Sequence, residues 1–392
     1  MLEEKLERSV EQSAAALTAM ADDFFDHPEV GLQEFHAFET LTGWLEKEGF
    51  TVERGIAGMD TAFRAVWKHG EGGPNIGLLC EYDALAGLGH ACGHHMQGPA
   101  ILGADKALKD AAIDAPYTIT VYGTPAEETI SGKVVMLENG CTFEELDVAL
   151  MMHGGPATQV DVKSLALNKL KIIYHGVCSH AALKPEKGRS ALDGLIMACQ
   201  GVEFLREHVP SDVRMHYTIV NCGGTAANVV PGYAEASMYV RSYNRTVVAR
   251  VRKVLQGAAM MTETEVEIIE EKSLDNKIPV LALNELVMEQ AEKVHAPCIR
   301  PARQKTGSTD FGNVMRHVPG TCIRVAFVPE GAAAHSQEYL DAGKTEAAHN
   351  AVVYGAKILA LTGAQLIEDP EKLEAIKKEF HENLAKELNG QS

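Results

Sequence analysis

The chain of 392 residues contains no CxxC pair, and its eight cysteines stand singly. A disulfide framework is therefore not the simplest reading; reduced thiols of a cytoplasmic protein are expected. Positive charge is also short. Lys and Arg number 36 against 54 Asp and Glu, for a formal net charge of -18. Nucleic-acid partners are disfavoured, because their binding rests on phosphate neutralisation by Lys and Arg. The acidity suits solubility and could attract cationic small molecules, but a solvated acidic surface is the simpler reading. No apolar run approaches the roughly 18 residues that span a bilayer. The opening MLEEKLERSV has no apolar core like that of a signal peptide. No membrane partner is expected, and no internal repeat or low-complexity tract is evident. The length predicts two or three domains.

What is present is an alternation of strands and helices. Phe35, Phe38, Leu41 and Leu45 recur at helical spacing. Apolar runs at 76–80, 118–122, 148–152 and 323–328 read as buried strands, with helices over 98–111 and 345–361. This order predicts an α/β domain with a mainly parallel sheet. The middle of the chain differs. Strands at 169–174, 214–220, 234–240 and 265–269 interleave with helices after Ser190 and from Val247. The middle two strands read as a pair around a Gly223-Gly224 turn. The order βαββαβ is ferredoxin-like. Residues 168–274 are therefore expected to form an inserted α+β domain, with 1–167 and 275–392 forming the larger one.

The densest chemistry lies in His90-Ala-Cys-Gly-His-His95, with Glu81 and Asp83 just upstream. Cys, His and carboxylate are the ligands of zinc, manganese or cobalt. Further candidates follow later strands: Glu127 and Glu128 after 118–122, His153 after 148–152, and His335 after 323–328. Open α/β sheets bind ligands at the carboxyl ends of their strands. Taken singly, each residue has a plainer explanation. A lone Cys92 reads as a small buried hydrophobe. His153 reads as a satisfied core histidine. Glu127-Glu128 reads as a charged helix start, and His335 as a loop tip. Convergence from four strands is what argues for a site. His69, His95, His317 and His349 have no comparable context and read as structural or exposed.

These residues sit in a set of motifs that occur in order: HACGHH, GTPAEE, MMHGGP, GVCSHAALKP, GGTAANVVPGYAE and GSTDFGNV. Together they resemble the M-twenty family of metallopeptidases over nearly the whole chain. EYDALAGLGHACGH and GSTDFGNV are similar to its subgroup of p-aminobenzoyl-glutamate hydrolases and related dipeptidases. The resemblance implies two divalent metal ions, zinc or manganese with cobalt possible. It implies Cys92 as bridging ligand, with His94, Glu128, His153 and His335 completing the set. Glu127 matches the general base, and Asp83 the carboxylate that orients the site. His180 matches a histidine of the inserted domain that reaches an active site, usually that of the partner subunit. Asn228 and Arg241 resemble substrate-binding positions. His95 departs from the Asp or Asn commonly found there, and is expected to point away.

The resemblance implies hydrolysis of an amide in a dipeptide or N-acyl amino acid by a metal-activated water, in a homodimer or larger homo-oligomer whose inserted domain serves dimerisation and closure. The alternative substrate is p-aminobenzoyl-glutamate, whose two carboxylates would call for a clamp such as Arg241 and Arg245. Two other classes remain. A non-catalytic scaffold should lack Glu127 or several ligands, and none is missing. A hydrolase using Cys92 as nucleophile should survive chelation.

Overall fold

The computed structural model describes residues 2–304 and 306–389. They divide into two compact units, one formed by residues up to 163 with 277–389, the other by 164–276.

The larger unit is built on a seven-stranded sheet. Its strands are β1 (Thr51–Arg54), β2 (Phe63–His69), β3 (Asn75–Cys80), β4 (Tyr117–Gly123), β5 (Val148–Gly155) and β6 (Gln159–Val160), with β13 (Gly320–Ala326) added after the insertion. The order is β1-β2-β4-β3-β5-β13-β6. The four central strands, β4, β3, β5 and β13, run parallel, while β2 joins β4 and β6 joins β13 antiparallel. The fold class is therefore the α/β, mainly parallel-sheet arrangement that the alternation predicts.

Successive side chains of a strand face opposite ways, and both faces here are apolar. Ile76 and Leu78 of β3, with Val148, Leu150 and Met152 of β5, enter the larger core. That core is completed by α1 (Leu2–Asp26), α2 (Phe35–Lys47), α3 (Gln97–Ala111), α8 (Leu281–Lys293), α11 (Glu346–Glu368) and α12 (Pro370–Leu388). Leu79, Ala149 and Met151 enter a smaller core on the other face. There they meet Met136 of α5 (Gly132–Glu138) and Phe311 of α9 (Phe311–Val314). Two short helices stand at loop positions, α4 (Glu127–Ile130) and α10 (Gln337–Ala342). Helix α11 has the length and composition of a membrane span, but 72% of its most apolar window is buried inside the protein. It packs on α3, α1 and α8 as a core helix.

The smaller unit contains β7 (Ala166–His175), α6 (Ala191–Arg206), β9 (Arg214–Asn221), β11 (Tyr233–Ser242), α7 (Val247–Thr262) and β12 (Glu265–Leu274). Its sheet order is β12-β7-β11-β9, all antiparallel. Strand β11 alternates strictly between buried and half-buried positions, so one face packs on α6 and α7. Ser190 caps α6 by accepting the Asp193 N–H at 3.1 Å. One detail differs from the sequence reading. β9 and β11 do pair, but their connection is not a tight Gly223-Gly224 turn. It contains β10 (Val229–Val230), which pairs with β8 (Ser179–His180).

Candidate metal centre

The central strands end side by side, at Cys80, Gly123, Gly155 and Ala326, so their following loops share one edge of the sheet. The loop after β3 carries Asp83 and the His90–His95 segment. Gly93, at φ 89°, allows the turn that brings His94 back toward Asp83. His94 Nδ1 donates to Asp83 Oδ1 at 3.0 Å and to its carbonyl at 3.1 Å. Nε2 is the nitrogen left to face the cluster, where it also lies 3.2 Å from Glu81 Oε2. Asp83 Oδ2 accepts the Glu128 N–H at 2.9 Å. One carboxylate thus fixes both an imidazole and the turn that bears Glu127 and Glu128.

That turn, α4, is bracketed by two non-glycine residues in left-handed conformation, Ala126 and Ser131, both at φ 60°. Each costs roughly 1 kcal/mol or more, a strain that persists only where the surroundings impose it. Here the Ala126 N–H is held by buried Glu34, at 2.8 Å. His335 is likewise left-handed, at φ 65°. Its N–H bonds the Ala91 carbonyl at 3.0 Å, and its Nε2 lies 3.1 Å from Glu128 Oε1.

Three overlapping trios result, and within each the donor atoms lie no more than 4.8 Å apart: Cys92, His94 and His153; Cys92, Glu128 and His335; His94, Glu127 and Glu128. Cys92 belongs to two of them, its Sγ 3.6 Å from His153 Nε2. His153 Nδ1 donates to the Gly154 carbonyl at 2.7 Å, which turns Nε2 toward the thiol. Arg324 lies 3.2 Å from the same Nδ1, its Nε anchored on Asp161 at 3.3 Å. Burial and the Arg324 charge push His153 down to about 3, so the ring is neutral. Burial pushes the Cys92 thiol up to about 12. A bound divalent ion reverses that, since a coordinating thiol is deprotonated outright. One thiol, three imidazoles and a carboxylate suit a borderline-soft divalent ion such as zinc. The donor chemistry of these residues fits the metal that the sequence motifs imply.

A further trio shares Glu127. The carboxylates of Glu81, Glu127 and Asp310 lie within 4.8 Å of one another. Wholly buried Lys133 reaches two of them, Glu81 Oε1 at 2.5 Å and Asp310 Oδ1 at 2.8 Å. Burial, with Asp310 and Glu81 adding repulsion, raises Glu127 well above the usual carboxylate range. A carboxylate raised in this way is a stronger proton acceptor, the property on which general-base chemistry draws.

The HACGHH segment divides. His95 turns from the cluster: its Nε2 donates to the Gly343 carbonyl at 2.8 Å and its ring meets Phe25 edge-on at 5.0 Å. His90 stacks on Phe25 at 6.5 Å. His180, Asn228 and Arg241 lie in the smaller unit. His180 Nδ1 accepts the N–H groups of Ala182 and Leu183, at 3.2 and 3.3 Å, so Nε2 carries the ring's proton. The Asn228 carbonyl accepts the Ala181 N–H at 3.0 Å. The Arg241 guanidinium lies over Tyr239 at 5.1 Å. Arg245 is engaged by Asp275 at 2.9 Å and Glu270 at 3.2 Å, which leaves it poorly suited to the anionic clamp considered from sequence. Lys133, Asp310 and Arg324 were not singled out by sequence reasoning. Asp310 stands within the GSTDFGNV motif; Lys133 and Arg324 carried no signal.

Residues 77–361 match the model of Peptidase family M20/M25/M40. The chain belongs to this family. It is a metal-dependent hydrolase of C–N amide bonds. The enzyme is 33% identical to the Xaa-Arg dipeptidase of Mus musculus, with 99% of this chain and 94% of that protein covered. It is 30% identical to a p-aminobenzoyl-glutamate hydrolase polypeptide of Escherichia coli, with 96% and 94% covered. Its fold is similar to that of a dinuclear metal-binding M20 peptidase from Bacillus subtilis, with a TM-score of 0.70 and 21% identity over 91% of this chain and 99% of that one.

Proposed function

We propose that the enzyme cleaves the amide bond of a dipeptide or an N-acyl amino acid with Glu127 as general base. The observation that carries this reading is the interlocking of the three trios through Cys92, His94 and Glu128. Cys92, His94, Glu128, His153 and His335 would hold two divalent ions, zinc, manganese or cobalt, with Cys92 as the shared ligand. When bound, such ions lower the pKa of a water and polarise an amide carbonyl. Glu127 takes a proton from the attacking water and passes it to the leaving amine. Asp83 keeps His94 in the tautomer that offers Nε2.

His180 would donate Nε2–H to the developing oxyanion. We read it as acting on the partner subunit's site in a homodimer, with Asn228 and Arg241 on the substrate and the inserted unit, residues 168–274 by sequence, serving dimerisation and closure. Mixing a His180→Ala subunit with a Glu127→Gln subunit, each inactive alone, should then restore part of the activity. No recovery after proven subunit exchange would remove His180 from the partner's site. Eight free cysteines support a reducing, cytoplasmic setting.

The Mus musculus relative's name favours a dipeptide, and the chain's acidity suits a cationic or neutral one. The Escherichia coli relative supports p-aminobenzoyl-glutamate as a second reading, although Arg245's ion pairs weaken the two-carboxylate clamp. A panel of dipeptides, N-acyl amino acids and p-aminobenzoyl-glutamate, assayed with zinc, manganese and cobalt, decides between them. Turnover unaffected by chelation and metal replacement would overturn the metal-dependent reading.

A further inference from the structure

Buried ammonium groups are uncommon, because the charge loses its hydration and must be repaid in full by fixed partners. Lys133 is such a group, and its partners come from distant parts of the chain. Glu81 follows β3, Lys133 opens α5, and Asp310 immediately precedes α9. The contacts are mutually locking. Lys133 Nζ lies 2.5 Å from Glu81 Oε1 and 2.8 Å from Asp310 Oδ1. The Lys133 N–H also donates to Asp310 Oδ2 at 3.0 Å. Glu81 Oε2 accepts from Gln97 Nε2 at 2.8 Å, and the Glu81 N–H returns a bond to Gln97 Oε1 at 3.1 Å. Both carboxylates are therefore fixed through both oxygens.

Glu127 lies within 4.8 Å of this frame without being one of its clamped members. The same geometry that makes the trio resemble a cation site explains why it needs no metal: the Lys133 ammonium already stands between two of the three carboxylates. A buried ion network gives little net stability, and an apolar replacement is often as good or better. The apolar core beside it, with Met136 and Phe311, shows that packing was available at this position. The network therefore needs a reason beyond stability.

We propose that Lys133 is a positioning residue for catalysis: its ammonium, clamped between Glu81 and Asp310, is the fixed positive charge that offsets those two carboxylates beside Glu127 and keeps the Glu127 carboxylate in place for proton transfer. The proposal rests on the reading of Glu127 as general base. Lys133 itself touches neither substrate nor metal. Without it, Glu81 and Asp310 repel one another and Glu127 alike, and the Glu127 carboxylate is pushed from its position.

The test is steady-state kinetics on the full-length, metal-loaded enzyme carrying Lys133→Met, with metal content measured on the same sample. The expected result is a fall in kcat of about 100-fold, comparable to a substantial part of what a positioned base contributes. KM should stay within about threefold, because ground-state binding does not use this frame. Metal content should equal that of the parent. A kcat within about threefold of the parent would overturn the proposal. If Lys133→Met does not fold, Lys133→Met combined with Asp310→Asn removes one anion along with the cation. That variant should fold and remain slow, and parental turnover in it would overturn the proposal. In Lys133→Ala, added ethylammonium should recover turnover. Equal recovery with tetramethylammonium, which has no N–H to donate, would also overturn it. Glu127→Gln run in parallel separates the two claims: if it turns over at the parental rate, the base assignment fails whatever Lys133 does.

Discussion

Two clusters meet at Glu127, and they are built to hold different cations. The one around Cys92 presents lone pairs from a thiol and three imidazoles, with a single carboxylate, Glu128. The one around Lys133 is made of carboxylates alone and already encloses an ammonium. Both bring their donor atoms within 4.8 Å of one another, trio by trio. The difference teaches that donor type and an internal cation, rather than proximity, decide where a divalent ion belongs. It also gives Glu127 a place between them, beside the candidate metal ligands on one side and the Lys133 frame on the other.

The comparison is broken most severely at Cys92. Cys92→Ala should lose metal and turnover together, since one of the residues that join two trios is gone. Full metal occupancy in that variant, by elemental analysis, would take Cys92 off the ligand list. Asp83 gives a smaller effect on the same side. Asp83→Asn keeps an acceptor for His94 but loses the charge, and should weaken metal binding by about 10–100-fold in competition with a chelator. Unchanged affinity would leave Asp83 as a scaffold residue only.

Glu34 sharpens the contrast most gently. Among the described residues it is held by hydrogen-bond donors, the Thr61 hydroxyl at 2.9 Å and the Ala126 N–H at 2.8 Å, rather than by a cation. Burial pushes it up to about 7 from 4.5. Because the folded value is raised, its contribution to stability is complete below 4.5 and is lost as pH rises through about 7. The loss is on the order of 3 kcal/mol. Glu34→Gln in metal-free protein should flatten that part of the stability profile in urea melts. Parallel profiles for the two proteins across this window would contradict it.

Apolar runs and helical spacings made the fold legible, because burial on both sheet faces writes itself into runs such as 76–80 and 148–152. The donors around Cys92 were legible for a similar reason. Each lies in a central strand, as His153 does in β5, or in the loop after one, so its end of the sheet followed once the strand was recognised. Lys133, Asp310 and Arg324 were not legible. Lys133 pairs with residues 52 and 177 positions away, and no local pattern records a contact of that length. Arg324 sits inside a strand, where its charge reads as a solvent-facing residue rather than a neighbour of His153. The fate of His95 depended on which way one ring turned. The bond to Gly343, 248 positions away, settles it.

The most direct test of the central claim is the metal content of Glu127→Gln, measured beside its turnover. If Glu127 moves the proton while Cys92, His94, Glu128, His153 and His335 hold the metal, the variant binds as much metal as the parent and loses nearly all activity. Lost metal would make Glu127 a ligand, and parental turnover with full metal would remove it from the chemistry.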